Sequence, residues 1–251
     1  MTLSRDEHLA VERAIVRGWP ALETAEIDGW LARFASGGSV RANTTSALDF
    51  AGADLDAALA RVIAFYRVRG AAPRFVITGV ETPANLDAEL DQRGWQRHGE
   101  HVTMTKAITP ATAPSPVIEI MSAPTDAWSD VYLQGLSEDR RAIAMTMVTR
   151  VPAPRAFFAA RREGRIIASG LSVADGAFAS VQCMATLLAA RRSGAATAVL
   201  AAIEAYALDQ GARRLYLQTE RDNAAAIALY ERIGFRIAAR YHTRVLMAED
   251  S

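Results

Sequence analysis

The chain has 251 residues, 51% hydrophobic and 22% charged, and its 28 basic and 28 acidic residues cancel to zero net charge. That composition excludes a disordered chain, and the missing basic excess argues against a nucleic-acid partner. Cys183 is the only cysteine, so no intrachain disulfide forms and a reducing compartment is expected.

The N-terminus, MTLSRDEHLA, lacks a secretory core. No apolar run reaches the ~20 residues of a membrane span. The expected location is the cytoplasm, without a membrane partner, as a monomer or homodimer. In chain order, the first half predicts a helix carrying Leu59, Ile63 and Tyr66, a strand at Phe75-Val-Ile-Thr-Gly, and a helix end at Leu90-Asp-Gln-Arg-Gly-Trp. Thr109–Pro116 (TPATAPSP) has no periodicity and reads as a linker.

The second half predicts a strand at Val117–Met121, helices at Asp126–Leu136 and Glu138–Val148, and a hairpin of Arg155–Arg161 with Arg165–Val173 around Arg162-Glu163-Gly164. A strand at Phe178–Thr186 follows, then a long helix at Gly194–Gln210 ending at Gly211. Leu215–Thr219 reads as a buried strand, Asn223–Ile233 as a helix stopped by Gly234, and Phe235–Met247 as two final strands. At a shift of about 140 residues the two halves echo each other. Phe75 lies opposite Leu215, Leu90 opposite Tyr230, and Leu59, Ile63 and Tyr66 opposite Val199, Ile203 and Tyr206. The echo predicts an α/β (α+β) mixed-sheet protein of two domains of one fold, 1–108 and 117–251, joined by 109–116.

Three features bear on chemistry. Arg191, Arg192, Ser193, Gly194, Ala195 and Ala196 stand between a strand and a helix start. A helix start offers free N–H groups and the positive end of the macrodipole, which suits a phosphate. The same residues also serve as an ordinary cap. Asn223 opens the last helix and suffices as an N-cap. Tyr230 stands two helical turns further on, on the same face; by itself it reads equally as core.

Taken in order, the strand, R-x-x-G-x-A, the helix, the next strand and N-x-x-A-x-x-L-Y-E-R-x-G-F (Asn223 to Phe235) resemble the GNAT superfamily of acyl-CoA N-acyltransferases. The resemblance is closest over Phe178–Phe235 and extends over Val117–Met247. It implies two tandem GNAT-like domains, each a partly splayed mixed β-sheet flanked by helices. It implies acetyl-CoA as co-substrate and no metal. Amides of Arg192 to Ala196 would hold the pyrophosphate, aided by the charge of Arg191. Main chain near Met184 and Thr186 would pair with the pantetheine arm, and an N–H there would polarise the thioester carbonyl. Asn223 would bind pantetheine or order its helix. Tyr230 would protonate the departing thiolate. The acceptor would be a primary amine on a small molecule or peptide; the alternative is a non-catalytic acyl-CoA-binding sensor or assembly module. Two positions depart from the family pattern: Leu188 where proline is frequent, and Ala196 where glycine is frequent.

Glu220 is a candidate base or a solvated loop carboxylate. Gln182 and Cys183 lie near the acyl end. The N-terminal counterpart of the phosphate loop, Ala51-Gly52-Ala53-Asp54-Leu55-Asp56, has no arginine and two carboxylates, which repel a pyrophosphate. One active site is therefore expected, with a degenerate N-terminal domain. Trp19-Pro20, Asp28-Gly-Trp-Leu-Ala-Arg and Arg41-Ala-Asn-Thr resemble a bacterial tandem-GNAT subgroup, in which Trp19, Trp30, Arg33 and Asn43 either line an acceptor groove or pack the core. His8, His98, His101 and His242 form no metal spacing.

Overall fold

A computed structural model of the chain describes residues 3–36, 39–109 and 118–247. The elements are α1 (Arg5–Gly18), β1 (Glu23–Ile27), β2 (Trp30–Phe34), β3 (Thr45–Ser46), α2 (Leu55–Arg67), β4 (Arg74–Ile77), α3 (Leu86–Gln92), β5 (Gln96–Ala107), β6 (Ile118–Met121), α4 (Asp126–Leu133), α5 (Glu138–Arg150), β7 (Arg155–Arg162), β8 (Arg165–Asp175), β9 (Phe178–Ser180), β10 (Gln182–Thr186), α6 (Ala195–Asp209), β11 (Arg214–Glu220), α7 (Ala224–Arg232) and β12 (Arg236–Val245). The class is mixed α/β. The chain divides into two compact units, one of Met1–Thr103, Gln218–Ile227 and Ile237–Ser251, the other of Met104–Leu217 and Ala228–Arg236. Apart from Thr109, the expected linker lies outside the described residues.

In the first unit α1 starts with a capping box. Ser4 Oγ accepts from the Glu7 amide at 3.2 Å, and Glu7 Oε2 accepts from the Ser4 amide at 2.9 Å. The strands run β1-β2-β3-β4-β12, antiparallel except for the parallel β3–β4 pair. Asp28 and Gly29 turn β1 into β2 with φ of 49° and 86°, the paired positive values of a tight hairpin. A Cβ on Gly29 would lie 1.7 Å from the Asp49 carbonyl oxygen, so only glycine fits. The apolar face of α2 (Ala58, Leu59, Val62, Tyr66) packs into a core with Phe75, Leu86, Leu90 and Trp95. Trp30 belongs to that core: it is fully buried, stands edge-on to Phe75 at 5.1 Å, and donates Nε1–H to the Thr82 carbonyl at 2.8 Å.

The second unit is built on the antiparallel succession β6-β7-β8-β9, with β11 parallel to β9. Glu163 and Gly164 close the β7–β8 hairpin with φ of 50° and 78°, the same turn as Asp28-Gly29. Helix α6 lies across β8 at Gly170, where a Cβ would come within 2.6 Å of Val199 Cγ1 and 3.1 Å of Ile203 Cδ1. Trp128 of α4 is fully buried and donates Nε1–H to the Phe158 carbonyl at 2.9 Å.

The helix ends of the two halves also match. The Trp95 amide bonds the Leu90 carbonyl at 3.0 Å, and the Phe235 amide bonds the Tyr230 carbonyl at 3.0 Å, around Gly94 and Gly234 at φ of 78° and 101°. Two expectations need correction. Phe235–Met247 is not two strands: Arg236–Val245 is one strand, because this stretch contains no glycine, proline, asparagine or aspartate to turn it. Phe178–Thr186 is not one strand but two, β9 and β10.

Candidate functional site

The break between β9 and β10 follows from their partners. β9 pairs with β11 as far as Ser180 opposite Tyr216, and Val181 then donates its amide to the Tyr216 carbonyl at 2.8 Å. Beyond that point β10 pairs only with β8. Its register slips between Gln182 and Ala185, and Cys183 takes a φ of 52° there, the signature of a bulge. The Ser169 hydroxyl fixes the bulge by donating to the Cys183 carbonyl at 3.1 Å. Along Met184–Thr186, β10 is paired with no strand other than β8 among the described residues. Such an edge is a template for an extended ligand. Thr186 sits at its end, paired with Ala168. A Cβ on Gly170 would come within 3.0 Å of Met184 Sδ, so the Met184 side chain packs against β8 beside Val199 and Ile203 of α6.

After β10 the chain makes a short 3-10 turn, Leu188–Ala190, which forms without the family's frequent proline. Arg191 is extended, Arg192 has a φ of 61°, and the Ser193 hydroxyl donates to the Ala190 carbonyl at 2.7 Å. Gly194 follows with φ of 84° and ψ of −5°. The first bond into α6 runs from the Ala198 amide to the Gly194 carbonyl at 2.9 Å. The amides of Ala195, Ala196 and Thr197 therefore have no acceptor within the helix. No side chain caps this end and no acidic residue stands in the first turn, so the positive end of the helix dipole is uncompensated. The exposed Arg191 and Arg192 add charge to the same loop. Helix α2, in the other unit, is the opposite case: the Asp54 carboxylate accepts from the Ala57 amide at 3.0 Å and fills its own helix start.

Asn223 caps α7 through Oδ1, which accepts from the Ala226 amide at 3.2 Å. Tyr230 is 8% exposed and packs edge-on against Phe235, with ring centroids 5.6 Å apart. Burial pushes its phenol up to about 12, so it is a neutral donor at physiological pH.

A small cavity of about 70 Å³ lies beside α6, lined by Thr197, Leu200, Ala201, Ile233 and Phe235. Lys106, the only lysine of the chain, and Glu204 also line it and meet at 2.5 Å, both largely buried. Removing one member of such a pair strands the other charge, at a cost of roughly 3–5 kcal/mol. Lys106→Met is expected to lower unfolding free energy by about 3 kcal/mol in urea titrations, and Lys106→Met with Glu204→Met to regain most of it. Equal stability of the single variant and the parent would contradict a structural role for this pair.

The other candidates lie elsewhere. Glu220 is exposed and borders an open cavity of the first unit with Glu100, His101 and Asp222. Cys183 is half-buried at the bulge. Among the described residues no group of three or more His, Cys, Asp or Glu could hold a metal ion, and no helix is long and apolar enough to cross a membrane. Asn43 clamps its own loop, accepting from the Ala35 amide at 2.8 Å and donating to the Ser39 carbonyl at 3.0 Å. Trp19 is buried at 3% exposure, and Arg33 donates to its carbonyl at 3.2 Å. Sequence reasoning did not foresee the bulge at Cys183, the open amide of Thr197 or the Lys106–Glu204 pair. Only Thr197 had a local signal, as the third residue of a helix without a capping side chain.

The family described as "Probable histone acetyltransferase Rv0428c C-terminal" matches residues 7–244. The uncharacterized N-acetyltransferase YobR of Bacillus subtilis (strain 168) is 28% identical over 251 residues, covering 96% of this chain and 99% of YobR. A GCN5-related N-acetyltransferase from Kribbella flavida superposes with a TM-score of 0.68 at 15% identity, covering 99% of this chain and 97% of that one. A tandem GNAT protein from the clavulanic acid biosynthesis pathway superposes with a TM-score of 0.59 at 15% identity, covering 82% of this chain and 76% of that one. At such identities the two structural likenesses speak to the fold.

Proposed function

We propose, for a chain that belongs to the Rv0428c C-terminal family of GNAT N-acetyltransferases, that it moves the acetyl group of acetyl-CoA to a primary amine at the site built on β10 and α6. The observation that carries this reading is the uncapped start of α6 behind Arg191 and Arg192, on the chain that leads out of β10. The amides of Ala195 to Thr197 hold the diphosphate, because they are donors without an acceptor inside the helix, at its positive end. Arg191 and Arg192 strengthen that hold, and Ser193, tied back to Ala190, keeps the loop in shape. The free edge of β10 near Met184 and Thr186 pairs with the amides of the pantetheine arm. A main-chain N–H near Met184 polarises the thioester carbonyl and stabilises the oxyanion that forms on attack.

Chemically, a free alkyl amine keeps its proton up to about pH 10.4, so that proton leaves first, to water or to a side chain. The neutral nitrogen attacks the carbonyl carbon, the C–N bond forms, and the C–S bond breaks as the tetrahedral species collapses. Tyr230 meets the developing thiolate. A phenol raised to about 12 is a weaker acid than a thiol of about 8.5. Its contribution is therefore a hydrogen bond to sulfur as the C–S bond breaks; coenzyme A leaves as the thiolate, and the nitrogen gives up its second proton to water as the amide forms. Asn223 acts by ordering the start of α7.

Matching turns at Asp28-Gly29 and Glu163-Gly164, and at Gly94 and Gly234, support a tandem origin with one catalytic half. The N-terminal half is the inactive one, because Asp54 occupies its own helix start. The cytoplasm is the proposed setting.

The test is release of free thiol from acetyl-CoA over a panel of primary amines. Amine-dependent thiol release with an N-acetylated product supports the reading. Acetyl-CoA binding without turnover on any amine would replace it with a sensing role. A further expectation concerns the two arginines: Arg191→Ala with Arg192→Ala weakens acetyl-CoA binding by about three- to tenfold at low salt, and the deficit shrinks as ionic strength rises, since exposed charges are screened. A deficit independent of salt would contradict an electrostatic role.

A further inference from the structure

The second compact unit carries a row of residues under α6 that ends on β10. Phe158 of β7 stands opposite Gly170 of β8, so the two share one face of the sheet. That face lies beneath α6: the Phe158 ring stands edge-on to Tyr206 at 5.7 Å. Met184 comes next in the row, from the bulge of β10, which pairs with β8. A Cβ built on Gly170 would meet Val199 Cγ1 at 2.6 Å, Met184 Sδ at 3.0 Å and Ile203 Cδ1 at 3.1 Å. The space over Gly170 is thus filled from β10 by the methionine and from α6 by the valine and isoleucine.

Exposure changes along the row. Phe158, Val199 and Ile203 are fully buried, and Gly170 is buried with them. Met184 is only half-buried. Its thioether therefore closes the aliphatic interior under α6 along the stretch where β10 pairs with β8 alone. Methionine usually adapts its shape to a neighbour. Here it has nowhere to withdraw beneath α6, because Val199 and Ile203 already pack over Gly170 at van der Waals contact.

The acyl group is held at the same residue. This step rests on the acetyl-transfer reading, in which a main-chain N–H near Met184 polarises the thioester carbonyl. A carbonyl within reach of that N–H has its alkyl substituent beside the Met184 side chain. An acetyl group ends there in a methyl, whereas a longer chain meets the thioether. We propose that Met184 sets the acyl-chain length: it admits acetyl and excludes butyryl, and Met184→Ala turns the space over Gly170, walled by Val199 and Ile203, into a pocket for the longer chain. The truncation removes the thioether and its methyl group, a bulk comparable with the ethyl group by which butyryl exceeds acetyl. It leaves the main-chain donors of β10 in place.

The experiment is calorimetric titration of the full chain and of Met184→Ala with acetyl-CoA, butyryl-CoA and free coenzyme A. Binding needs no turnover, so the result does not depend on finding the amine acceptor. The parent is expected to bind butyryl-CoA at least about tenfold more weakly than acetyl-CoA, the lower end of what one methylene is worth in a fitted apolar site. Met184→Ala is expected to bring the two within about threefold of each other, with coenzyme A as the reference for the rest of the ligand. Met184→Val, smaller and suited to a strand, is the second variant, used where the alanine chain loses its thermal transition; its ratio is expected to lie between the two. Equal affinity of the parent for the two thioesters overturns the proposal, and so does a parent-like ratio in a folded Met184→Ala or Met184→Val chain; both leave acetyl transfer standing. Failure of all three ligands to bind the parent at millimolar concentration removes the acetyl-transfer reading and this proposal with it.

Discussion

Gly194→Glu is expected to weaken acetyl-CoA binding by about a hundredfold or more, with the fold intact. Two separate effects act at this residue. Gly194 has a φ of 84°, where any side chain costs roughly 1–2 kcal/mol of backbone strain. A Cβ there meets nothing within 4 Å, so no clash adds to the strain. The larger effect is charge. A carboxylate at the start of α6 competes for the open amides and repels a diphosphate, by about 4 kcal/mol for two unit charges at 4 Å in an effective dielectric near 20. Gly194→Ala separates the two: it carries the strain without the charge, and a loss of only a few fold is expected. Equal losses in the two variants, measured by titration with unchanged thermal midpoints, would show that backbone shape and not electrostatics governs the site.

Tyr230→Phe is expected to lower kcat by about ten- to a hundredfold, at the lower end of the range for positioned proton donors, while KM for acetyl-CoA changes by less than about twofold. The ring packs on Phe235 and is kept in the variant, so folding should not suffer. The pH dependence gives a second readout. Burial raises the phenol to about 12, so Tyr230 stays protonated and able to donate below that value. An alkaline fall in kcat well below pH 12 must come from another group and should persist in Tyr230→Phe. If the variant turned over at the parent rate, Tyr230 would have no part in thiolate release.

Helix starts and stops were the most legible part of the sequence, because their chemistry is local. Gly194, Asn223 and Gly234 stand within two residues of the ends of α6 and α7. The uncapped start of α6 was readable from the absence of an acidic residue between Arg191 and Ala198. The splitting of Phe178–Thr186 into β9 and β10 was not readable. It depends on where pairing with β11 stops and where β8 takes over, and register is a relation between distant segments. Its bulge rests on Cys183, a residue with no special preference for positive φ. The capping box of Ser4 and Glu7 was in plain view and went unused, so α1 was missed. The row of Phe158, Gly170 and Met184, drawn from three strands, comes together only in three dimensions.

The most direct test is a crystal structure of the chain with coenzyme A. The diphosphate oxygens should lie within hydrogen-bond distance, about 2.7–3.2 Å, of the main-chain nitrogens between Gly194 and Thr197, with the pantetheine arm along the open edge of β10. A diphosphate held elsewhere, with those amides bonded to water or to protein, would contradict the account.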